Sequence, residues 1–300
     1  MKQKITKFLV ILLFIVGFLI LAYPTISNEW NIYVQSTLIN NYEDSLQNMS
    51  TDDYSAEWAA ARAFNEGITE NQIGTDAFST GADGNAVTPT EEFLNSEYFS
   101  VLNINGDGIM GYLSIPKINL KLSIMHGTFD EYIQTAVGHM NGTALPIGGA
   151  STHSVIVGHR GLPSAELFTN IDQLEIGDKF YIHVLDETLA YEVDNIEQAI
   201  PAEDIDTLSD AMQVEQGKDY VTLFTCTPYG VNTHRLLVRG IRVEYLGEDE
   251  PPTGTEAVVE TVKNYYLIIG IAGFILALII ILIIRHIFKK KDVEAEGRSQ

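Results

Sequence analysis

The spacing of apolar and polar side chains divides the chain into segments with different predicted structures. Residues 8–23 form an unbroken apolar run, and residues 265–284 form a second run without a charge. Between residues 28 and 66 apolar side chains recur every three or four positions, which is typical of amphipathic helices. The cluster Ser50-Thr51-Asp52-Asp53 predicts a break with an N-cap, and Gly67 predicts a C-cap. Two helices are therefore expected before the main domain.

Beyond these helices the pattern indicates a loop and then a β domain. Residues 67–92 are rich in Gly, Thr, Ala, Asn and Asp, which predicts a long mobile loop. Short helical turns are expected at 170–174 and 204–211. Many short strands favour a mainly β fold, as a closed barrel or a sandwich, over alternating β and α units. Strands are expected at residues 99–104, 109–115, 120–125, 154–157, 179–184, 189–196, 220–226 and 235–245.

The first two predicted strands flank Asn105-Gly106-Asp107-Gly108, which predicts a hairpin turn. The spacing of Asn103, Asn105 and Asp107 is similar to the start of a calcium loop. Position twelve of such a loop would be Ser114, where the ion needs a bidentate glutamate. The segment therefore predicts a turn and no metal site.

Both apolar runs have basic side chains on their outer flanks. Lys2, Lys4 and Lys7 precede the first run, and Arg285 with Lys289-Lys290-Lys291 follows the second. The positive-inside rule then predicts that both termini are cytoplasmic and that the segment between the runs lies outside the membrane. The first run is slightly short for a bilayer. No convincing small-x-small cleavage site precedes Pro24, which favours an uncleaved anchor over a cleaved signal peptide.

The predicted outer segment is strongly acidic. Residues 25–263 carry 37 acidic and 10 basic side chains. Such a surface repels phosphates, which argues against nucleic acid as a partner and disfavours flat adhesion to anionic lipid. The chain has one cysteine, so no internal disulfide is possible. A domain of about 240 residues is large enough to be stable through its core alone.

The single cysteine, Cys226, ends a strand-like run, and Arg235 begins the next such run after a turn-rich segment. A thiol at a strand end beside a guanidinium is a candidate nucleophile beside an anion stabiliser. A cysteine that only fills core space is the alternative. Arg239 shares a strand face with Arg235, so spacing alone does not separate the two arginines, although Arg235 lies nearer to Cys226 in a hairpin.

A histidine is the usual partner of a reactive thiol, and His159 is the strongest candidate among the seven histidines. It follows the apolar run Val155-Ile156-Val157 and Gly158, so it lies at the end of a predicted strand, where a side chain is both fixed and exposed.

The other histidines have weaker contexts. His234 neighbours Arg235 and points to the opposite face of its strand. His183 lies in mid-strand among apolar neighbours and is expected to be structural, and His286 falls in the predicted cytoplasmic tail. The remaining three lie in turn-like contexts: His126, His139 and His153.

These candidates stand in longer motifs that resemble one family. The motifs are Thr222-Leu223-x-Thr225-Cys226-Thr227-Pro228-Tyr229-Gly230, His234-Arg235-Leu236-Leu237-Val238-Arg239-Gly240, Gly158-His159-Arg160-Gly161-Leu162-Pro163 and Asn105-Gly106-Asp107-Gly108-x-Met110-Gly111-Tyr112. With the two apolar runs, they are similar to the class C, pilin-polymerising branch of the sortases, which are cysteine transpeptidases of Gram-positive bacterial surfaces. The resemblance covers residues 95–245 well and the flanking helices loosely.

The resemblance implies an eight-stranded β-barrel with N-terminal helices, a lid loop and two transmembrane helices. It implies that Cys226 attacks the Thr–Gly bond of a Leu-Pro-x-Thr-Gly-like sorting signal and forms a thioester. His159 would transfer protons, Arg235 would hold the substrate and the oxyanion, and Thr225 would contact the substrate. A lysine of a neighbouring pilin subunit would resolve the thioester into an isopeptide bond, and this chemistry needs no metal or organic cofactor.

Class C sortases typically carry a lid with an Asp-Pro-aromatic motif, and the matching segment here is Asp76-Ala77-Phe78. The resemblance implies that the Asp76 carboxylate contacts Arg235 and that the Phe78 ring covers Cys226. Ala77 replaces the proline of the motif, which removes a fixed φ and predicts a more flexible lid.

The expected location is the cell membrane, with the catalytic domain outside, both termini cytoplasmic and pilin subunits bearing sorting signals as partners. Two alternatives stay open: a housekeeping-type sortase that attaches surface proteins to a peptidoglycan precursor, and a non-catalytic β-domain such as an anchored adhesin or sensor. The second apolar run and the lid-like loop favour pilin assembly. The expected segments are an N-terminal membrane anchor (1–24), a helical region with the lid loop (25–94), the catalytic β-barrel (95–247), a linker (248–264), a C-terminal transmembrane helix (265–285) and a cytoplasmic tail (286–300).

Overall fold

The computed structural model describes residues 2–73, 77–78, 87–249 and 273. The chain divides into two compact units, Met1–Leu21 with Pro251–Gln300, and Ala22–Glu250. Asp76 lies outside the described residues, as does the expected second span at 265–285 apart from Gly273. In the described part of the chain, one helix is long and apolar enough to cross a membrane, and it covers Leu9–Gln47.

The two helices expected before the main domain are present. Helix α1 covers Lys2–Gln47 and α2 covers Thr51–Glu66. Ser50 caps α2 as predicted, because its side chain accepts from the Asp53 N–H while the Asp53 carboxylate accepts from the Ser50 N–H. Gly67 is the C-cap. The shorter helices are α3 (Glu91–Leu94), α4 (Glu97–Ser100), α5 (Asp130–Ile133) and α6 (Ile205–Ala211), with 3₁₀ turns at Pro116–Ile118 and Leu167–Gln173.

Eight strands form a closed barrel, which confirms the mainly β expectation and selects the barrel over the sandwich. Their order around the barrel is β1-β2-β3-β4-β7-β8-β6-β5. Strand β4 pairs in parallel with β7, and β7 pairs antiparallel with β8. The strands are β1 (Ile109–Ile115), β2 (Leu120–His126), β3 (Val137–His139), β4 (Thr152–Val157), β5 (Lys179–Val184), β6 (Glu187–Pro201), β7 (Asp219–Thr227) and β8 (His234–Val243).

Strands β4, β7 and β8 are apolar on both faces. Alternate residues such as Ile156, Leu223 and Val238 pack in the main core. The residues between them pack in a second cluster on the opposite face, which we call the outer apolar patch. A strand that is buried on both faces has consecutive apolar residues, as β4 has at Val155-Ile156-Val157 and β8 at Leu236-Leu237-Val238. The outer apolar patch consists of Met140, Val155, Val157, Ile200, Leu208, Met212, Phe224 and Leu237.

Buried polar anchors attach α1 and α2 to the barrel. The Tyr42 hydroxyl donates to the Met110 carbonyl (3.2 Å) and accepts from the Leu185 N–H (2.9 Å), and burial raises the pKa of Tyr42. On α2, the Trp58 indole donates to the Asp186 carboxylate (2.8 Å). These bonds fix α2 and the C-terminal part of α1 relative to the strands.

The strand predicted at 99–104 is wrong, and so is its hairpin. Tyr98, Val101 and Leu102 are all buried, and this spacing suits the turn of α4 and the residues after it better than alternation. The predicted turn at 105–108 is present, and the Asn103 side chain stabilises it by accepting a hydrogen bond from the Gly108 N–H (2.8 Å). Strand β3 was not predicted, because three residues are too few to give a periodic signal.

Three histidines assigned to turn-like contexts are instead fully buried in or at the ends of strands: His126, His139 and His153. Burial lowers the pKa of His139 to about 3 and that of His153 to about 4. His153 is hydrogen-bonded to the Gln213 carbonyl (2.9 Å) and the Thr222 hydroxyl (2.8 Å). His183 is structural as expected, since it stacks on Tyr112 at 4.1 Å.

We expect the free energy of unfolding to fall as the pH decreases from 6.5 towards 4. The unfolded chain binds protons on these histidines below pH 6.5, whereas the folded state keeps them neutral, so each costs up to about 1.4 kcal/mol per pH unit. Urea unfolding of the full chain in detergent at pH 7 and pH 5 measures this. A His153→Gln variant should show a smaller pH dependence than the wild type, and an equal dependence would contradict the assignment.

Candidate active site

Cys226 and Arg235 are direct neighbours across two strands. The β7–β8 register pairs Cys226 with Arg235, whereas Arg239 pairs with Thr222 and binds the Asp194 carboxylate through its Nε (3.0 Å). The prediction that Arg235 is the nearer arginine is therefore confirmed. Cys226 is 6% exposed and Arg235 is 5% exposed, so both lie under other groups.

His159 reaches the same edge of the sheet from the other side of β7. Strand β4 pairs in parallel with β7 up to Val157 and Phe224. The pairing continues past the strand end, because the Gly158 N–H donates to the Phe224 carbonyl (3.1 Å) and the Thr225 hydroxyl donates to the Gly158 carbonyl (2.6 Å). Carboxyl ends of parallel strands meet at one edge, so His159, just past the end of β4, lies beside the last residues of β7, which include Cys226.

The His159 ring lies beside a carboxylate. Its Nε2 is 3.5 Å from Oδ1 of Asp130, which begins helix α5. Nε2 is buried and has no hydrogen-bond partner among the described residues, so this contact is an ion pair only when the ring is protonated. Burial lowers the pKa of His159, and the Asp130 carboxylate acts in the opposite direction.

The Arg235 guanidinium is fixed by the backbone of its own turn. Its Nη1 donates to the carbonyls of Asn232 and His234, both at 2.9 Å. The guanidinium carbon lies 5.4 Å from the centroid of the Phe78 ring, which is a cation–π contact. A planar group with several N–H donors held in this way is suited to bind a carbonyl oxygen or a developing oxyanion.

Phe78 connects the groups at this edge. Its ring centroid is 5.1 Å from that of His159 and 5.9 Å from that of Phe224. Phe78 and Ala77 both pack against the outer apolar patch, as does Ile73. Residues 77–78 of the predicted loop therefore lie over the candidate site. The implied contacts of Asp76 with Arg235 and of Phe78 with Cys226 stay predictions.

Sequence reasoning missed three side chains at this edge. Phe224 is the unspecified position x of the first quoted motif, and Arg160 stands in the third motif without an assigned role. Arg160 donates through Nη1 to the Thr227 hydroxyl (3.2 Å) and pairs with Asp172. Asp130 carries no local signal, because it precedes His159 by 29 residues and only the fold brings them together. No group of three or more metal-ligating side chains is present among the residues that the structure describes.

The fold and the sequence both match known proteins. A family model described as a sortase domain matches residues 113–243. The crystal structure of sortase C1 from Streptococcus agalactiae is 42% identical with a TM-score of 0.60, covering 70% of this chain and 99% of that one. Sortase C from Streptococcus pneumoniae is 36% identical with a TM-score of 0.58, covering 70% of this chain and 97% of that one.

Among curated proteins, the chain is similar to sortase A of Bacillus anthracis, at 25% identity over 134 residues. That match covers 44% of this chain and spans 59% of the length of the relative. The class C structures thus match this chain at a higher sequence identity and over a larger share of its length than this relative does.

We expect an Asp130→Asn substitution to lower the pKa of His159 further, because it removes the carboxylate that favours the charged ring. The titration of the His159 ring protons, followed by NMR, measures this change. Glu131→Gln, one residue along the same helix, is the matched control and should leave the titration unchanged. An unshifted His159 titration in the Asp130 variant would show that the two groups are not coupled.

Proposed function

Since this chain belongs to the sortase family, we propose that it is a membrane-anchored cysteine transpeptidase that joins pilin subunits. In this proposal Cys226 is the nucleophile, His159 is the acid and base, and Arg235 binds the substrate carbonyl. The observation that carries it is the meeting of β4, β7 and β8 at one edge, which brings these three residues together from separate parts of the chain.

The first step is attack of the Cys226 sulfur on the threonine carbonyl of a Leu-Pro-x-Thr-Gly-like sorting signal. The thiol proton passes to His159 as the C–S bond forms, the carbonyl oxygen takes the negative charge, and the Arg235 guanidinium stabilises it. Collapse of this intermediate breaks the Thr–Gly C–N bond. His159 gives its proton to the leaving amine, and a thioester remains on Cys226.

The second step reverses the first with a different amine. The ε-amine of a pilin lysine attacks the thioester carbonyl and loses a proton to His159. The C–S bond then breaks, and an isopeptide bond joins the two subunits. One amide is exchanged for another, so the energy of the first bond is kept in the thioester and no external energy source is required.

The neutral ring favoured by burial is suited to this exchange. A neutral His159 can accept the proton of a thiol or an incoming amine, and the nearby Asp130 carboxylate stabilises the charged ring that results. The pair therefore supports both directions of proton transfer at one position.

The outer apolar patch is the proposed floor of the substrate groove. Phe224, Val157 and Leu237 present apolar surface next to Cys226, and Phe78 with Ala77 now lies on it. An extended peptide with leucine and proline side chains would bury them on this surface once the loop moves away. Thr225, whose hydroxyl holds the Gly158 carbonyl, is proposed to contact the substrate from beneath.

The class of acceptor is inferred from the structural relatives. Both structures described above are class C sortases, and the study of the Streptococcus pneumoniae enzyme concerns pilin substrate specificity. The loop segment over the site agrees with this class. These observations favour a pilin lysine over a peptidoglycan-precursor amine as the natural acceptor.

The proposed location is the cell membrane, with the barrel outside. The apolar helix that begins near the N-terminus is long enough to be the anchor. The cytoplasmic position of both termini and the second span at 265–285 are proposed from the basic flanks of the two apolar runs.

We expect Cys226→Ala to abolish cleavage of a Leu-Pro-x-Thr-Gly peptide, and Arg235→Lys to lower kcat by about 10²–10³-fold through loss of an oxyanion donor. Arg239→Lys is the matched control on the same strand and should retain activity.

Mass spectrometry of the products, with a pilin lysine and a peptidoglycan-precursor amine offered together, identifies the acceptor. Cleavage by the Cys226 variant would refute the mechanism, and preference for the precursor amine would reassign the enzyme to cell-wall anchoring.

We expect Phe78→Ala to speed alkylation of Cys226 about tenfold. Truncation removes on the order of 1.4 kcal/mol of apolar burial over the site, and that energy is a factor of ten in the open population. Alkylation followed by mass spectrometry reports on this thiol alone, because the chain has one cysteine. Val87→Ala, an exposed position in the same loop, is the control. An unchanged rate for the Phe78 variant would remove the lid from the proposal.

A further inference from the structure

The outward face of α1 carries a stripe of large exposed side chains that begins at the last residue of the first apolar run. Their positions recur every three or four residues, so they lie on one face of the helix. They are Tyr23, Ile26, Trp30 and Tyr33, which we call the aromatic stripe, and their exposed fractions are 54%, 58%, 66% and 62%. The Trp30 and Tyr33 rings are in contact, with their centroids 5.7 Å apart. Such a stripe on a water-facing helix needs a partner.

The charge around the stripe identifies that partner. The outer domain is strongly acidic, yet Glu29 is the only Asp, Glu, Lys or Arg between residues 8 and 42. The neighbouring positions are filled with Asn, Ser, Thr and Gln. A neutral surface rich in Trp and Tyr is typical of the interface between lipid and water, where an aromatic ring contacts the acyl chains and its polar group contacts the headgroups.

The length of α1 also places the stripe at the interface between lipid and water. The apolar run of 16 residues, 8–23, covers about 24 Å at about 1.5 Å per residue, whereas a hydrocarbon core is about 30 Å thick. About 20 residues are needed, which extends the span to Ser27. Along the helix axis, Trp30 then lies about 5 Å beyond Ser27 and Tyr33 about 9 Å beyond it, at the level of the headgroups.

The opposite face of α1 is bonded to the catalytic end of the barrel. The Asn28 side chain accepts from the Glu166 N–H (2.9 Å), in the loop that follows His159. The Asn31 side chain donates to the Thr135 carbonyl (3.1 Å), just after the helix that carries Asp130. A membrane contact of the stripe would therefore hold this end of the barrel near the lipid surface.

We propose that the aromatic stripe is a membrane-docking surface that lies in the headgroup region of the bilayer and holds the active-site end of the barrel at the lipid surface. The inference rests on the proposed membrane anchoring and adds to it: Trp30 and Tyr33 contact lipid although they lie beyond the spanning segment. Because the stripe is uncharged, the contact depends on apolar burial rather than on anionic lipid.

The test uses the full chain in vesicles and its two tryptophans, Trp30 on the stripe and Trp58, which is buried against the barrel. Fluorescence is measured in the wild type and in Trp30→Phe, and the difference is the emission of Trp30. Vesicles of phosphatidylcholine brominated near the headgroup end of the acyl chains should quench at least half of this emission. Iodide in the water should quench little of it, and salt should not change the result.

The possible outcomes distinguish failure of the docking surface alone from failure of the membrane anchor. Flotation of the chain with vesicles, with Trp30 quenched by iodide and not by brominated lipid, would overturn the docking surface alone. Shielding of Trp30 from both quenchers would show that protein covers the stripe, and would also overturn it. Failure of the chain to float would overturn the anchor and the docking surface together. Trp58 should stay insensitive to the brominated lipid throughout.

Discussion

The parallel pairing of β4 with β7 is the constraint on which the candidate site depends. Parallel neighbours end at the same edge, so His159, just after β4, lies beside the end of β7 that carries Cys226, although 67 positions of sequence separate the two residues. The hydroxyl of Thr225 extends the pairing by one bond, to the Gly158 carbonyl. The antiparallel pairing of β7 with β8 then adds Arg235 from the other side. The site is thus a product of strand order rather than of loop conformation.

The strands that position the site also supply the surface around it. Because β4, β7 and β8 are apolar on both faces, one face builds the barrel core and the other forms the outer apolar patch beside Cys226. The packing that stabilises the barrel therefore also orients the apolar residues that Phe78 covers. In the proposed function, stability and substrate binding would depend on opposite faces of the same strands.

Much of this fold could be predicted from sequence because its strands are long enough to show a pattern. Strands β1 and β5 begin and end at the predicted residues, and the cap at Ser50 follows from side-chain chemistry alone. The segment at 99–104 could not be predicted, because its four apolar residues, Phe99, Val101, Leu102 and Ile104, fit a strand and a turn equally well. Cys226 and Arg235 are close in sequence, so their proximity was predictable, whereas Asp130 meets His159 only through the barrel topology.

The position of Phe78 has a consequence for affinity. One ring contacts His159, Phe224 and the Arg235 guanidinium, so a peptide that binds there must compete with a segment of the same chain for the same surface. Intramolecular competition weakens the apparent affinity of every ligand by the fraction of molecules in which the segment is displaced. Ligands that bind weakly and without specificity lose most of their occupancy when the apparent affinity is lowered in this way. If the outer apolar patch is the substrate groove as proposed, only a peptide that fills the whole groove recovers enough energy to be held, and the ring would then favour complete sequences over fragments.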